Sequence, residues 1–515
     1  EDTIADHRRI LALDPTNLGS LRTLARLATE SGRPELAADF LGRALAAAPT
    51  SETPAELQEQ LRAELIAAHV ANQDGPAALV VLTEALSARP DDRALRELAV
   101  EVGLAEKKWD FVGEQFEKLR TMAETPEDRA AWTVRLGRLH RDQRLDVPAA
   151  LDAFRSAVRI DPLGEAVREL ANTMGELPLP PEDAPLVAEA TRALRHSLLP
   201  NPLLPRRLES LAMLARSGGL IDLADVAAQL HALLGGPPSR GRSRGLVRTV
   251  SLSLIAPPLA DVSLRRIGDL WTHLADPIAR LHAWDPNSVG IGRNTRVTPG
   301  SDPRLAWADA ASTAFGLSDL SLHVAGRDDL GIAAFDAPPV LVLGRGVAGG
   351  DASVRFRVGR VLALLAQKAA LFDRITPEEL ALDWAAAVYL FTEVADPAVS
   401  AAALKAQAKA LGKAITRKER KAVEPFVAGF AANASSILAY RNHVLATANR
   451  AGLLVSGDLG MTLRVVSQQA NPSPADLSTE DSLDVIRFAF GDRFTELRDE
   501  MRQRDRVNTG EHGGS

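Results

Sequence analysis

The side chains that most often carry out catalysis are few in this chain and are not grouped. There is no cysteine, which excludes disulfides, thiolate catalysis and cysteine-bound metals. The ten histidines include no two that lie three or four residues apart, so no single helix could present a pair of imidazoles to zinc. Ser456-Gly457 lacks the Gly-x-Ser-x-Gly elbow of a serine hydrolase. The sequence therefore predicts no metal, thiol or triad site and no cofactor.

Three glycines, Gly344, Gly346 and Gly349, follow the apolar run 339–343, which has the pattern of a buried strand. Glycines at this spacing can bind a dinucleotide when a second strand and an acidic residue follow about 20 residues later. Here the chain continues from Leu362 to Leu371 as an apolar helical segment without a strand break. This order argues against nucleotide binding.

Lysine is concentrated in one place. Five of the nine lysines lie between residues 405 and 421. The basic stripe that they form with arginine consists of Lys405, Lys409, Lys413, Arg417, Lys418 and Lys421. In a chain of net charge −7, the stripe is either a solvated helix face or a surface that attracts an acidic protein partner. The negative net charge and the lack of interleaved aromatic residues argue against a nucleic acid or a lipid as the ligand.

A repeated spacing organises the first half of the chain. The pattern Ala-x3-Leu/Phe-x2-Ala-x4-Pro occurs at 37–49, 78–90 and 150–162. Steps of four and three residues place its first three positions on one helix face, and the proline ends the helix. The pattern resembles the tetratricopeptide repeat (TPR), which implies stacked helix pairs and a concave surface that binds peptides or helices. The alternative is a set of unrelated alanine-rich helices.

We expect the array to continue to about residue 235, because Leu211, Ala215, Ala224 and Ala228 repeat the spacing of small and apolar residues. Small side chains allow helices to approach closely. The residues predicted at closely packed helix crossings are Ala25, Ala37, Ala44, Ala78, Ala85, Ala150 and Ala157.

The second half has a different pattern. A Gly-, Pro- and Arg-rich segment at 235–245 indicates a flexible linker. Runs at 320–324 and 339–343 predict strands, and helical patterns follow at 353–372, 377–394, 400–412, 417–450 and 457–468. The predicted fold class is mostly α: a TPR-like superhelix, then a mainly helical α+β domain with a small sheet. The predicted divisions are a repeat array at 1–235, a linker at 236–250, a second domain at 251–470 and a C-terminal region at 471–515.

Two segments of the second domain suggest a family. The run Phe356–Leu365 follows a predicted strand and a glycine loop, and Arg450-Ala-Gly-Leu453 follows some 80 residues later. Over roughly 315–468, this order resembles the HtpX and CAAX-prenyl-protease metallopeptidases. The resemblance implies that the helices holding Arg360 and Asn449 lie side by side near the strand at 340–343. The alternative is an unrelated helical domain. The combination of repeats with such a domain resembles that of large myxobacterial TPR proteins. The resemblance implies a bacterial source.

The residues that such a peptidase needs are missing. In the register of the resemblance, Arg360 and Leu364 stand where the zinc-binding histidines belong, and Val361 stands where the general base belongs. Leu445 replaces the third ligand and Asn449 replaces an aspartate behind it. Leucine and valine have no lone pairs for zinc. The resemblance therefore implies an inactive domain, a pseudopeptidase, with Arg360 reaching solvent, Asp351 or Asp458.

The C-terminal region begins with a polar spacer at 471–479. An apolar helical stripe follows, which could dock on the protein or bind a partner, and we favour docking. Its members are Leu483, Ile486, Phe490, Phe494, Leu497 and Met501. Residues 508–515 are expected to be disordered. The chain begins without methionine, which suggests a piece of a longer protein, and it has no apolar run long enough to span a membrane.

These patterns predict a cytoplasmic scaffold or adaptor rather than an enzyme. The TPR superhelix would bind a protein or peptide partner, and the inactive peptidase-like domain would be a second binding or structural module. The sequence leaves the oligomeric state unknown. The alternative is an enzyme with a non-standard site in the second domain, completed by missing parts of the chain.

Overall fold

The computed structural model describes residues 2–48, 54–175, 179–239, 250–258, 262–292, 294–325, 331–347, 350–427, 430 and 434–498. It divides into two compact units, Glu1–Leu194 and Arg195–Ser515. The mostly α fold class with a small sheet is confirmed. The domain ranges derived from the sequence stay a prediction. Residues 240–249 of the expected linker and 499–515 of the tail, including Met501, lie outside the described residues.

The first unit is a series of helices joined by short turns. They are α1 (Asp2–Leu13), α2 (Leu18–Glu30), α3 (Pro34–Ala47), α4 (Ala55–Ala71), α5 (Gly75–Ala88), α6 (Arg93–Ala105), α7 (Trp109–Met122), α8 (Pro126–Arg138), α9 (Val147–Ile160) and α10 (Ala166–Met174). A π-helical turn, Leu139–Gln143, extends α8. The helix α11 (Ala184–Leu198) begins in this unit and ends in the next.

Local signals place the ends of these helices. Asn17, Asp74, Asp92, Thr125 and Asp146 each accept a hydrogen bond from the backbone N–H three residues later, which satisfies a donor that the helix itself leaves free. The helix α5 ends two residues before Pro90, and α9 ends two residues before Pro162. The third proline, Pro49, lies outside the described residues.

The predicted helix crossings are confirmed. Helices α2 and α3, α4 and α5, α6 and α7, and α8 and α9 pack as successive pairs, so the first unit is an array of TPR-like helix pairs. All seven alanines predicted at crossings are at most 2% exposed. Gly137 of α8 also allows two helices to approach closely, because a Cβ there would lie 2.5 Å from the ring of Phe154 in α9.

The second unit contains helices α12 (Pro205–Ser217), α13 (Ile221–Leu233), α14 (Val262–Leu281) and α15 (Ala306–Ala314). Strands β1 (Ser321–Ala325), β2 (Ile332–Phe335) and β3 (Val340–Gly344) follow. The remaining helices are α16 (Ala352–Ala366), α17 (Pro377–Thr392), α18 (Ala401–Ala414), α19 (Arg417–Val427), α20 (Ala434–Ser456), α21 (Leu459–Val466), α22 (Pro474–Leu477) and α23 (Glu480–Ala489). Residues 492–498 are also helical.

Within the described residues, the strands form one sheet in the order β1-β3-β2. Strand β1 is parallel to β3, with Ser321 opposite Val340, and β2 is antiparallel to β3, with Ile332 opposite Leu343. The sequence predicted β1 and β3 but missed β2, whose four residues are too short for a clear alternation. Helix α16 packs against β2.

The prediction of one helix at 417–450 is wrong. Helix α19 ends at Val427, two residues after Pro425, and α20 begins at Ala434. Proline lacks the N–H of an intrahelical hydrogen bond and crowds the preceding turn, which favours a helix end nearby.

The pair α12–α13, which the sequence assigned to the repeats, lies in the second unit. Gln229 of α13 accepts hydrogen bonds from the backbone N–H groups of Leu459 and Gly460 at 2.6 and 3.2 Å, which joins α13 to the start of α21.

The C-terminal apolar stripe docks within the second unit, as favoured. Ile486, Phe490, Phe494 and Leu497 are at most 4% exposed, and the Arg450 guanidinium holds the Asp484 carboxylate at 2.6 Å. Among the described residues, no helix combines the length and apolarity needed to cross a membrane.

Candidate functional site

The five residues that the sequence resemblance assigned to degenerate zinc positions lie on two helices in close contact. Helices α16 and α20 pack along one another, and glycine makes the approach possible. A Cβ on Gly452 would lie 2.7 Å from the backbone oxygen of Phe356, and one on Gly359 would lie 3.2 Å from the Cα of Gly452. Leu362, Leu365, Ala448 and Leu453 of these two helices are at most 4% exposed. The expected side-by-side packing of the two helices is therefore confirmed, whereas their closeness to the strand at 340–343 stays a prediction.

Arg360 joins the two helices. Its Nε donates a hydrogen bond to Oδ1 of Asn449 at 2.8 Å, and its guanidinium forms an ion pair with the Asp373 carboxylate, with Nη2 2.8 Å from Oδ1. The side chain of Arg360 is 23% exposed and Asn449 is 7% exposed. Asn449 thus uses its amide oxygen to hold a partly buried cation.

The predicted acid partners of Arg360 were wrong. Asp351 accepts a hydrogen bond from the backbone N–H of Val354 and so caps α16, and Asp458 caps α21 in the same way through Met461. The partner is instead Asp373, at the end of a 3-10 turn, Ala370–Asp373, that follows α16. This turn returns the chain to the side of the helix that bears Arg360.

A buried aspartate fixes that turn. Asp336 follows β2 and accepts hydrogen bonds from the backbone N–H groups of Ala370 and Leu371 at 3.0 and 2.9 Å. Burial raises the pKa of Asp336 to about 6 despite these two hydrogen bonds. No sequence pattern singled out Asp336, because its partners are backbone groups more than thirty residues away.

Three of the five predicted positions, Arg360, Val361 and Asn449, line one cleft of about 440 Å³. Leu364 is fully buried and Leu445 is half-buried. The other residues around the cleft are Ile332, Phe356, Arg357, Asp373, Val465, Val466, Gln468 and Asp481. In the part of the chain that the structure describes, no cluster of three or more histidine or carboxylate side chains could hold a metal.

The cleft is lined by both charged and apolar side chains. Its two arginines and two aspartates give no net formal charge, and both oxygens of Asp373 lie against the guanidinium of Arg360. Because both of its oxygens already accept hydrogen bonds from the guanidinium, the Asp373 carboxylate is not free to act on a bound substrate. The arrangement is suited to binding a polar group.

A second polar cluster, which sequence reasoning missed, is formed by the turn after α14 together with α17 and α18. The Nε2 of His282 lies 2.7 Å from Oδ2 of Asp383, and Gln407 donates to the other oxygen of Asp383 at 2.6 Å. The hydrogen bond with the Asp383 carboxylate raises the pKa of His282. Asp383 is 1% exposed. The two hydrogen bonds therefore offset the cost of burying its carboxylate. Their positions in the sequence, 101 and 24 residues from Asp383, gave no signal.

The first unit has depressions along its even-numbered helices. One of about 750 Å³ lies between α2 and α4, one of about 640 Å³ between α6 and α8, and one of about 290 Å³ between α8 and the segment that leads into α10. The last two share Ala131, Arg135 and Arg138. We call this set of depressions the even-helix groove. The repeat pattern implied a binding surface, but it did not identify which residues would line it.

The α6–α8 part of the groove has an apolar floor and a charged rim. Val100, Phe116, Trp132 and Leu139 form the floor. The guanidinium of Arg135 lies 4.1 Å from the centre of the Trp132 ring, a cation–π arrangement. The π-helical turn contributes Leu139, Asp142 and Gln143 to the lining, and such turns occur frequently at functional sites.

The six residues of the basic stripe lie on α18 and α19 and are all exposed. They do not take part in the cleft.

No protein-family model matches the sequence, and a search of curated proteins found no significant match. The chain is similar to a tetratricopeptide repeat protein from Parabacteroides merdae at 16% identity and a TM-score of 0.25, over 43% of this chain and 80% of that one. It is also similar to pilF of Pseudomonas aeruginosa at 17% identity and a TM-score of 0.24, over 43% and 93%. Similarity at this level carries no functional conclusion, whereas the helix pairs are seen directly in the first unit.

Proposed function

We propose that this protein is an interaction scaffold whose first unit binds a peptide or protein segment in the even-helix groove. The observation that supports this most is the recurrence of depressions between successive even-numbered helices. Each helix pair of an array presents the same face, so neighbouring pairs extend one binding surface. A partner segment would follow that surface across several pairs.

The lining indicates what kind of segment fits. Apolar side chains at the floor of the α6–α8 depression would receive an apolar anchor, and burial of aromatic surface commonly supplies much of the binding energy of an interface. On the rim, Arg93 holds Asp128 across the groove at 2.8 Å. Arg135 and Glu101 are exposed beside it. A segment with an apolar anchor flanked by charged residues of both signs complements this surface.

One substitution can block two depressions together. Ala131 is exposed and lines both the α6–α8 and the α8–α10 depressions, so Ala131→Arg would place a bulky, charged side chain at their shared edge without removing a core side chain. Ala88→Arg is the matched control, because Ala88 is exposed on α5 and lines none of the three depressions. In quantitative affinity capture with mass spectrometry, Ala131→Arg should lose partners that wild type and Ala88→Arg retain. Equal recovery by all three proteins would contradict binding in the groove.

For the second unit, we infer an inactive module related to the HtpX-type peptidases. The close α16–α20 contact supports this, as does the hydrogen bond between Arg360 and Asn449. In the active family, these positions hold the first zinc ligand and the aspartate behind it. The cleft would then be a vacated active site that binds or stabilises rather than hydrolyses. The cytoplasmic setting and the bacterial source stay predictions.

Restoring the missing groups tests this relationship. The variant Arg360→His, Val361→Glu, Leu364→His and Leu445→Glu returns the family's ligands and general base to the positions that the resemblance assigns. If α16 and α20 retain the family's geometry, zinc should bind stoichiometrically and raise the melting temperature, because a ligand that binds only the folded state stabilises it. Wild type is the control.

The buried Leu364 makes unfolding of the full variant a risk, so Arg360→His with Leu445→Glu is measured in parallel. A folded full variant that elemental analysis finds free of zinc would remove the peptidase relationship. The groove proposal would be unaffected, since it concerns the first unit alone.

In the alternative, a non-standard enzyme, the catalytic carboxylates would be Asp373 and Asp481, which both line the cleft. Asp481→Asn would then abolish an activity found with the complete protein. Because Asp373 is held by Arg360, we favour binding over catalysis.

A further inference from the structure

The basic stripe on α18 and α19 has no described partner within the chain. In the part of the chain that the structure describes, none of its six side chains takes part in an ion pair, whereas Lys368 pairs with Asp276 at 2.8 Å. Residues 401–427 contain seven basic and two acidic side chains. One of the two acids, Glu419, is held by Arg280 at 2.7 Å and by Thr416. The stripe is therefore a concentrated positive surface on an acidic chain.

Most of its arrangement opposes helix stability, although Lys413 is favourably placed in the last turn of α18. Lys405, Lys409 and Lys413 are spaced one helical turn apart, about 6 Å along the axis for each step, and like charges at this spacing destabilise a helix. Arg417 and Lys418 occupy the first turn of α19, where the exposed N–H groups disfavour cations. Neither feature helps the folding of the isolated chain. An external anion would relieve both.

The packing of α18 limits what that anion can be. Leu404, Ala408 and Leu411 are at most 5% exposed, and Leu404 and Ala408 pack with Ala385 and Ala386 of α17. A helix that binds at a membrane surface inserts its apolar face, and the apolar face of α18 is already covered. Single-stranded nucleic acid binds to basic grooves with aromatic side chains for its bases. Helix α18 has no aromatic side chain, and the ring of Phe426 on α19 already lies against His273, with the ring centres 4.5 Å apart.

We propose that the basic stripe docks an acidic protein segment whose carboxylates are spaced by one helical turn. Such a segment would place carboxylates opposite Lys405, Lys409 and Lys413 in register and would continue over Arg417 and Lys418. Charge complementarity of this kind mainly increases the association rate and the specificity, and it weakens as salt screens the charges. The surface is separate from the even-helix groove and does not depend on the scaffold proposal.

Two fluorescein-labelled helical peptides of equal composition test the proposal on the full chain. One carries glutamates at every fourth position on a single face, and the other distributes the same glutamates around the helix. We expect the first to bind at least about tenfold more tightly, with affinity falling as salt rises. Lys405→Glu, Lys409→Glu and Lys413→Glu together should abolish this binding, and a peptide with lysines in place of the glutamates should restore it.

Lys107→Glu, Lys108→Glu and Lys118→Glu form the matched control, because they make the same charge change at three exposed lysines of the first unit. This control should retain binding. Equal binding of the two peptides, equal loss in the control, or tighter binding to phosphatidylserine vesicles or to a single-stranded oligonucleotide would overturn the proposal.

A second variant gives an independent result if the charge-reversed protein does not fold. Replacing the same three lysines with glutamine removes their mutual repulsion, so the melting temperature should rise while peptide binding is lost. A fall in the melting temperature would mean that the lysines stabilise the chain itself, and the proposal would fail.

Discussion

Both units bring helices together through glycine, but they connect very different stretches of chain. In the first unit, Gly137 faces the side chain of Phe154 on the next helix. In the second unit, Gly452 faces the backbone of Phe356, and the nearby hydrogen bond from Arg360 to Asn449 spans 89 residues. A side chain can move aside, whereas a backbone can move only with its helix. The second crossing should therefore tolerate less change.

The largest expected effect comes from Gly452→Ala. The new methyl group would lie 2.7 Å from the backbone oxygen of Phe356, and we expect unfolding to become easier by about 2–3 kcal/mol, as in other overpacked contacts. Gly137→Ala should cost less, about 1–2 kcal/mol, because the Phe154 ring can shift. Urea unfolding of both variants measures the difference.

Gly42→Ala is the control for that pair. A Cβ at Gly42 in α3 would meet no atom within 4 Å, so the better helix propensity of alanine should stabilise the protein by about 0.5–1 kcal/mol. Equal effects at Gly452 and Gly137 would show that the two crossings are equally adaptable.

Ala157→Leu tests the regular crossings of the first unit. Ala157 is fully buried in α9, and three added carbon atoms should overpack the contact and cost about 1–3 kcal/mol. Ala44→Leu should behave similarly, because Ala44 occupies the equivalent position in α3 and is also fully buried. Thermal melts of both variants that match wild type would remove the repeat assignment.

Arg360→Leu tests the hydrogen bond between α16 and α20. The amide of Asn449 would lose a described donor while remaining 7% exposed, and an unsatisfied buried polar group costs about 1–2 kcal/mol. Arg357→Leu is matched, because Arg357 is exposed one turn earlier on the same helix, and it should change stability by less than about 0.5 kcal/mol. Chemical denaturation that gives the same value for both variants would contradict a structural role for Arg360.

The smallest expected effect is the pH dependence due to His282. The hydrogen bond with Asp383 raises the pKa of His282, so the folded state binds the proton more tightly than the unfolded state. The stabilisation is complete below the ordinary histidine pKa of about 6.5 and is lost as the pH rises through the raised value.

His282→Gln should therefore destabilise more at about pH 5.5 than at about pH 8.5. The effect should be at most about 1 kcal/mol, because the imidazole is partly exposed to water. Urea unfolding at both pH values provides the measurement, and an equal loss at the two would assign the effect to packing.

Much of the first unit could be predicted from the sequence because its contacts are local. The Ala37, Ala78 and Ala150 repeats set the helix faces through steps of three and four residues. Pro90 and Pro162 mark the ends of α5 and α9. Neighbouring helices then pack because short turns leave them little freedom. Local patterns also predicted β1 and β3, from alternating and continuous apolar runs, and the C-terminal stripe, from helical periodicity.

Tertiary structure decided the details that depend on distant residues. Asp373 rather than Asp351 or Asp458 pairs with Arg360, because a 3-10 turn fixed by the buried Asp336 returns there. The strand β2 forms because β3 supplies its hydrogen bonds. Helical periodicity depends on neighbours within about four residues, so the sequence determined the helices and most of their buried faces. The choice among several acids, or the pairing of a four-residue strand, depends on which distant groups the folded chain brings together.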